Sequence, residues 1–301
     1  MDPRVDALLD EAGGAASRAE LLRVVSRATL DDEVRRRLLS AVFPRAYARP
    51  WSVDDPSVRL RAALASTGGD VALSHVTALE QWELLPVQDG PIHVTAYNPR
   101  HPRGVAGELV VHRTLLPLGA LNLNGMTTVR PELAALTSWP LLGERERRAP
   151  IIEGSRRKLF DTRRLADGAE RMWWIRDLPA LRELVAQIAA GCESELELWG
   201  YTDVFNVPGL DDASRQVIVE VDGETYRLDV AYDEEMLAIE LDGRKYHASS
   251  KQWERDIRRD RKVATLGWQT IRYSHDQLRF DVEGCRRDTL AIRRARRRLA
   301  S

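Results

Sequence analysis

Apolar positions near the start of the chain recur at helical spacing: Val5, Leu8 and Leu9, then Ala19, Leu21 and Leu22, then Val34, Leu38 and Leu39. Gly13-Gly14 and Thr29-Leu30-Asp31 interrupt the pattern, so three short helices are predicted. The stretch AVFPRAYARP that follows lacks this period and carries a proline, which predicts an extended piece. Helices followed by a small β element suit a winged helix-turn-helix, in which one helix enters a DNA major groove. A small helical packing module fits the same pattern.

Helical periods over 58–65 and 74–85 then precede two alternating runs, PIHVTAY and ELVVHRT, and TTVRPELAALTSWPLL predicts a strand entering a helix. A further amphipathic helix over 178–190 meets Gly191 as its C-cap, and Ser194 with Glu197 three residues on has the spacing of a capping box. The runs QVIVEV, TYRLDVAY and MLAIELDG predict three strands, the first two joined by an Asp222-Gly223 hairpin turn. A helix over 251–266 ends at Gly267, WQTIRYS predicts a strand, and a last helix over 276–299 is broken near Gly284. The final order is α-β-β-β-α-β-α. The whole reads as an α/β protein with a winged-helix-like region over 1–52, a small α+β region over 53–170, and a mixed sheet flanked by helices over 171–301.

With 44% hydrophobic and 30% charged residues among 301, the composition is that of a globular chain. No run approaches the ~18 apolar residues that would span a membrane, and MDPRVDALLDEAGG lacks a basic segment before an apolar one, so a cytoplasmic location is expected. Cys192 and Cys285 sit in no metal-binding spacing and are expected to be ordinary thiols. His75, His93, His101 and His112 also match no metal motif in their spacing, and are expected to be structural or surface residues. The formal net charge is -1, but from Gly243 onward 17 basic residues face 7 acidic ones. That excess, about +10, suits a polyanion, and equally a solvated helix face with an arginine-rich tail.

Three acids fall at informative points. Asp229 interrupts the apolar run RLDVAY, and Glu240 and Asp242 lie two apart at the end of the next strand, hence on one side of it. Buried carboxylates are unfavourable unless paired or bound to a cation. Acids at neighbouring depths on adjacent strands would line a pocket for Mg²⁺ or Mn²⁺, and such an ion supports phosphodiester hydrolysis. For any one of these acids alone, a salt bridge, for example to Arg227 or Lys245, is the plainer reading.

The segments RLDVAYDEEMLAIELDGRKYHAS and WERDIRRDRKVATLGWQTIRYSHDQL resemble the DUF559 domains, relatives of the very-short-patch-repair endonucleases within the PD-(D/E)xK superfamily. The resemblance covers about Ser194 to Leu290. It implies a metal-dependent DNA endonuclease in which Asp229, Glu240 and Asp242 hold the metal, His247 serves as acid/base or phosphate contact, and Glu197 is the acid of the preceding helix. Asp256 and Asp260, four apart on a helix, would orient site residues. The superfamily's lysine is replaced by Asp242, so the stabilising charge must come from Lys245, Lys262 or a protonated His247. Arg244, Arg258 and Arg259 are the expected DNA contacts in this region.

The front half, with ASRAELL, FPRAYARP, LSHVTALEQWELLP and VVHRTLL, resembles AbiEi-type antitoxin and transcriptional-regulator domains over about Ala7 to Ala166. That resemblance implies a DNA reader whose phosphate contacts are Arg18, Arg27, Arg35, Arg36 and Arg37; the same arginines also fit a solvated helix face. Two classes of function follow: an endonuclease targeted by its front region, or a regulator that binds DNA with an inert nuclease-like domain. DNA is the expected partner in both, with a second copy of the chain or a toxin or defence protein as further candidates.

Overall fold

In the computed structural model the described residues are 1–97, 104–144, 146–189, 199–200, 204–242 and 250–300; the side chains of 242, 250–253, 275, 279 and 300 are outside the description. The chain divides into two compact units: residues 1–154 with 158–181, and residues 155–157 with 182–301.

The first unit begins with three helices whose starts are written into the sequence. Asp2 caps α1 (Pro3–Glu11), Ser17 and Glu20 form a capping box on α2 (Arg18–Val24), and Ser26 caps α3 (Arg27–Arg35). The third helix ends earlier than its apolar spacing predicts. Arg37 takes a left-handed φ of 57°, so Leu38 and Leu39 lead out of the helix and into β2 (Ser40–Phe43). The extended piece is a hairpin of β2 with β3 (Ala46–Ala48), and β1 (Ala15–Ser17) pairs on the far side of β3, giving an antiparallel sheet in the order β1-β3-β2.

Seven further elements build and flank a five-stranded mixed sheet: α4 (Pro56–Thr67), β4 (Val71–Leu73), α5 (His75–Gln81), β5 (Ile92–Tyr97), β6 (Leu109–Thr114), then the hairpin β7 (Ala120–Leu123) and β8 (Met126–Val129). The order is β6-β5-β4-β8-β7, with β5 and β6 parallel and β4 antiparallel to β5. Ala15, Phe43, Ala46 and Ala48 share one core with Val58, Ala62, Leu73, Val94 and Leu109. That core runs across the sequence division at residue 52, because α4 buries one face against both sheets. Helices α6 (Pro131–Ser138), α7 (Ala149–Arg156), α8 (Thr162–Arg171) and α9 (Leu178–Ala189) follow.

The second unit carries β9 (Ser214–Val221), β10 (Glu224–Tyr232), β11 (Leu237–Asp242), α10 (Ser250–Thr265), β12 (Gln269–Ser274), α11 (His275–Phe280) and α12 (Val282–Ala300). Its sheet order is β12-β11-β10-β9, antiparallel except for the parallel pair β11 and β12. Val263 of α10 packs with Leu228, Ala231, Ala238 and Trp268, so this helix covers one face of the sheet. The last helix breaks at Asp281, whose carboxylate accepts from the Gly284 N–H, three residues before the predicted break.

The arginine-rich end is in large part an internal clamp. Arg293, 4% exposed, donates to both oxygens of Asp212 at 2.6 and 2.5 Å, to Glu235 Oε1 at 3.0 Å and to the Gly209 carbonyl at 2.6 Å. Its guanidinium also lies 4.0 Å from the centre of the Tyr232 ring. Glu235 is buried as well and takes Arg297 Nε at 2.5 Å, while Arg296 donates to the Gly267 carbonyl at 2.9 Å. These charges are spent inside the unit, which reduces the basic surface that simple counting assigns to this segment.

Candidate functional site

β10 and β11 are the two inner strands of their sheet, so acids placed on them are shielded on both sides. Their antiparallel pairing runs from Tyr232↔Leu237 to Val230↔Ile239, and the next residues on the two strands are Asp229 and Glu240. There the Asp229 side chain enters the strand bonding: Oδ2 accepts from the Leu241 N–H at 3.0 Å, and Oδ1 accepts from Gln216 Nε2 at 3.5 Å. Glu240, 7% exposed, is gripped by Arg259 of α10, whose two terminal nitrogens donate to its oxygens at 2.8 and 2.6 Å. The same guanidinium donates to the Arg227 carbonyl at 2.5 Å. Arg272 stands beside Glu240 in the register of β12 and donates to Asp260 Oδ1 at 2.7 Å.

Burial pushes the Glu240 carboxyl up to about 7, the Asp229 charge adds to the rise, and Arg259 opposes it. Burial also raises Asp229, against the pull of the Leu241 N–H and of Arg259. Both carboxyls are desolvated and the Asp229 charge raises Glu240, while Arg259 acts against both, joined by Arg227 at Asp229 and Arg272 at Glu240, so the desolvation is only partly offset. A divalent cation would correct this, and an oxygen-only donor pair suits Mg²⁺ or Mn²⁺.

The sign of the pH effect follows. Because the folded value of Glu240 lies above its usual 4.5, its contribution to stability is fully present below pH 4.5 and is lost as pH climbs through about 7. Melting temperature without divalent cation is therefore expected to fall between pH 5 and pH 8, and to fall less in Glu240→Gln. Equal slopes in the two proteins would refute the assignment.

The other expected site residues are placed unevenly. Asp242 closes β11 two residues beyond Glu240, though its side chain is outside the described residues, as are Glu197, Arg244, Lys245 and His247 altogether. Lys262, expected to lend the missing positive charge, instead sits at the β9–β10 turn, 3.3 Å from Asp222 and 3.2 Å from Glu224. Five residues of strand separate Glu224 from Asp229, about 17 Å at the usual rise, so Lys262 is held away from the acid pair. Arg258 is bound to the same turn through Glu224 at 2.8 Å. Arg259, expected at the DNA surface, lies on Glu240 instead. Asp260 orients Arg272 next to Glu240, in keeping with a positioning role, and Asp256 is half-buried on α10.

Among the front arginines, Arg18 is tied to Asp31 at 2.8 Å, Arg36 reaches Asp32 at 3.6 Å, and Arg35 also pairs with Asp32. Arg27 and Arg37 are exposed. Cys285 is a buried free thiol; Cys192 and His101 lie outside the described residues. The expectation for the remaining histidines does not anticipate the structure, because His75, His93 and His112 come together in one cluster. Sequence spacing conceals such a cluster when its members come from separate elements, here α5, β5 and β6.

Residues 207–291 match the restriction-endonuclease-like family REase_MTES_1575. The second unit carries a restriction-endonuclease-like domain. The matched segment includes Asp229, Glu240, Asp256 and Asp260 and begins after Glu197, so that the acid pair lies within the domain. No curated protein matches the chain. Arg259 and Arg272 are the basic side chains beside the acid pair that the sequence pattern did not assign to it. Arg259 stands three residues after Asp256 on α10, a spacing readable in the sequence, whereas Arg272 reaches Glu240 only through the register of β12 with β11.

Proposed function

We propose that the chain is a divalent-metal-dependent DNA endonuclease acting through the pocket at Asp229 and Glu240. The observation that carries this reading is the juxtaposition of two desolvated carboxyls on inner strands of a restriction-endonuclease-like domain, with Arg259 bonded to one of them. Asp229 and Glu240 would hold Mg²⁺ or Mn²⁺, with Asp242 as a third carboxylate at the end of β11. When bound, such an ion polarises a phosphoryl oxygen and lowers the pKa of a bound water.

The chain's own groups account for the rest. Arg259 is the positive charge nearest the acid pair, and it stands in for the lysine that this sequence replaces with Asp242. A guanidinium cannot act as a base at neutral pH, but its planar fork suits a pentacoordinate phosphate as well as it suits Glu240. Asp260 fixes Arg272 beside the same carboxylate, adding a second positive charge at a stated position. The front region would bring in the DNA: its order α1-β1-α2-α3-β2-β3 and three-stranded sheet support a winged-helix reading, with exposed Arg27 on α3 among the candidate phosphate contacts.

Incubating supercoiled plasmid with the chain and Mg²⁺ or Mn²⁺ tests the proposal: nicked or linear product that EDTA abolishes is expected. A second reading, a DNA-binding regulator without chemistry, is favoured by the ion pair that occupies Glu240. It predicts a footprint at a defined operator and no cleavage with any metal.

A further inference from the structure

Three imidazoles meet in the first unit, remote in sequence from the acid pair. His93 lies on β5 and His112 on its parallel neighbour β6, with Thr95 of β5 opposite His112 in the register. His75 begins α5 directly after β4, the strand on the other side of β5. Two adjacent strands and the start of the helix that follows the third thus each deliver one histidine to one place. The His75 and His112 rings stack with centroids 3.5 Å apart, and His93 Nδ1 lies 2.9 Å from His112 Nε2. One ligand-capable nitrogen from each ring falls within 4.8 Å of the others.

The surroundings favour a cation over a structural stack. Burial drives His75 down to about 2 and His112 to about 4, each lowered further by the neighbouring imidazoles, and burial lowers His93 as well. Burial thus favours neutral imidazole at all three, the form whose lone pair binds metal. A left-handed φ of 52° at His75 is an uncommon conformation for a residue with a side chain, and it occurs where the strand passes into the helix. The supports that fix ligating histidines are also present. Ser74 Oγ lies 2.9 Å from His75 Nδ1 and accepts from Thr95 at 2.8 Å, and Thr77 Oγ1 accepts from the His93 backbone N–H at 2.9 Å, holding that strand in place. His93 and Thr77 also line an open cleft of about 580 Å³ that includes Glu80 and Asp89, which provides a path for an ion.

We propose that His75, His93 and His112 form a binding site for a divalent transition metal, Zn²⁺ foremost, with a fourth position open toward the cleft. Imidazole nitrogen selects Zn²⁺, Ni²⁺, Cu²⁺ and Co²⁺ over Mg²⁺, so this site and the carboxylate pocket would take different metals. Tetrahedral Zn²⁺ at about 2.0–2.1 Å from each nitrogen sets the nitrogens about 3.3 Å apart, which the half-exposed His93 and His112 rings reach by side-chain rotation and loss of their mutual hydrogen bond. Three protein nitrogens with one open position is the ligand pattern of reactive rather than closed zinc sites.

The test uses the full chain, dialysed against EDTA and then given Zn²⁺ or Co²⁺. The expected result is about one retained equivalent of Zn²⁺ per chain, the intense visible bands of four-coordinate Co²⁺, and a melting temperature that rises with Zn²⁺. His112→Asn and His93→Gln are expected to weaken retention at least about 10-fold, the size of effect seen when metal-site groups are removed. Asp229→Asn is expected to leave it unchanged, which separates this site from the carboxylate pocket and from the proposed nuclease activity. Absence of Co²⁺ bands and of a Zn²⁺-dependent melting shift in the wild-type chain would overturn the proposal without recourse to any variant. So would equal Zn²⁺ retention by folded His112→Asn.

Discussion

Cleavage of supercoiled plasmid in Mg²⁺ or Mn²⁺ is expected to fall on the order of 100-fold or more in Asp229→Asn, with the fold retained. The isosteric amide keeps an oxygen that can accept the Leu241 N–H, so the bonding between β10 and β11 survives while the negative charge is lost. Asp229 is the better first target of the two acids. Glu240→Gln removes a metal ligand but also strips Arg259 of its bidentate partner, mixing a structural loss with a chemical one. Arg259→Lys separates the functions further: a lysine retains charge without the fork, and cleavage is expected to drop while metal affinity at the acid pair rises because the competing ion pair is weaker. Metal binding can be followed by the melting shift with Mn²⁺. Full nicking activity in folded Asp229→Asn would remove the proposed pocket from the chemistry.

The second large effect is structural. Arg293→Met should destabilise the second unit by about 3–5 kcal/mol, the range for breaking a buried ion pair from one side. The substitution leaves Glu235, 1% exposed, with Arg297 as its remaining ionic partner among the described residues, and unties Asp212 and the Gly209 carbonyl at once. For a unit of this size such a loss corresponds to a fall in melting temperature of roughly 10 °C or more. The Asp212 carboxyl is held below its usual range by its hydrogen bonds to Arg293, so this cluster contributes stability above pH 3.8 that disappears as the solution is acidified. The trend is opposite in direction to that of Glu240, and the two are distinguishable by melting at pH 3, 5 and 8. A loss of no more than 2 °C in Arg293→Met would show that the clamp contributes little.

Most of the strands and helices were legible because their periods are strong and their ends carry chemistry. Alternation in TYRLDVAY and MLAIELDG specifies β10 and β11, and Asp222-Gly223 specifies the turn before β10. The acid pair was legible as well, since a carboxylate amid apolar strand residues has few stable alternatives to pairing or cation binding. The end of α3 was less legible, because Leu38 and Leu39 keep helical spacing after the backbone has turned at Arg37. Local pattern cannot register a backbone reversal when the apolar residues remain in step.

What the sequence by itself determined is therefore the local geometry: which runs form strands, where helices are capped, and that Asp229 and Glu240 must be shielded. Only the tertiary structure decided which charges meet. It placed Arg259 on Glu240 and Lys262 at a distant turn, although both are basic residues of one helix, and it drew Arg293 and Arg297 inward to Glu235. It also gathered His75 from the start of α5 and His93 and His112 from the neighbouring strands β5 and β6. The physical reason is one of range. Periodicity and capping act over a few residues, whereas the partner of a charge or an imidazole is chosen by strand order and register, which join residues far apart along the chain.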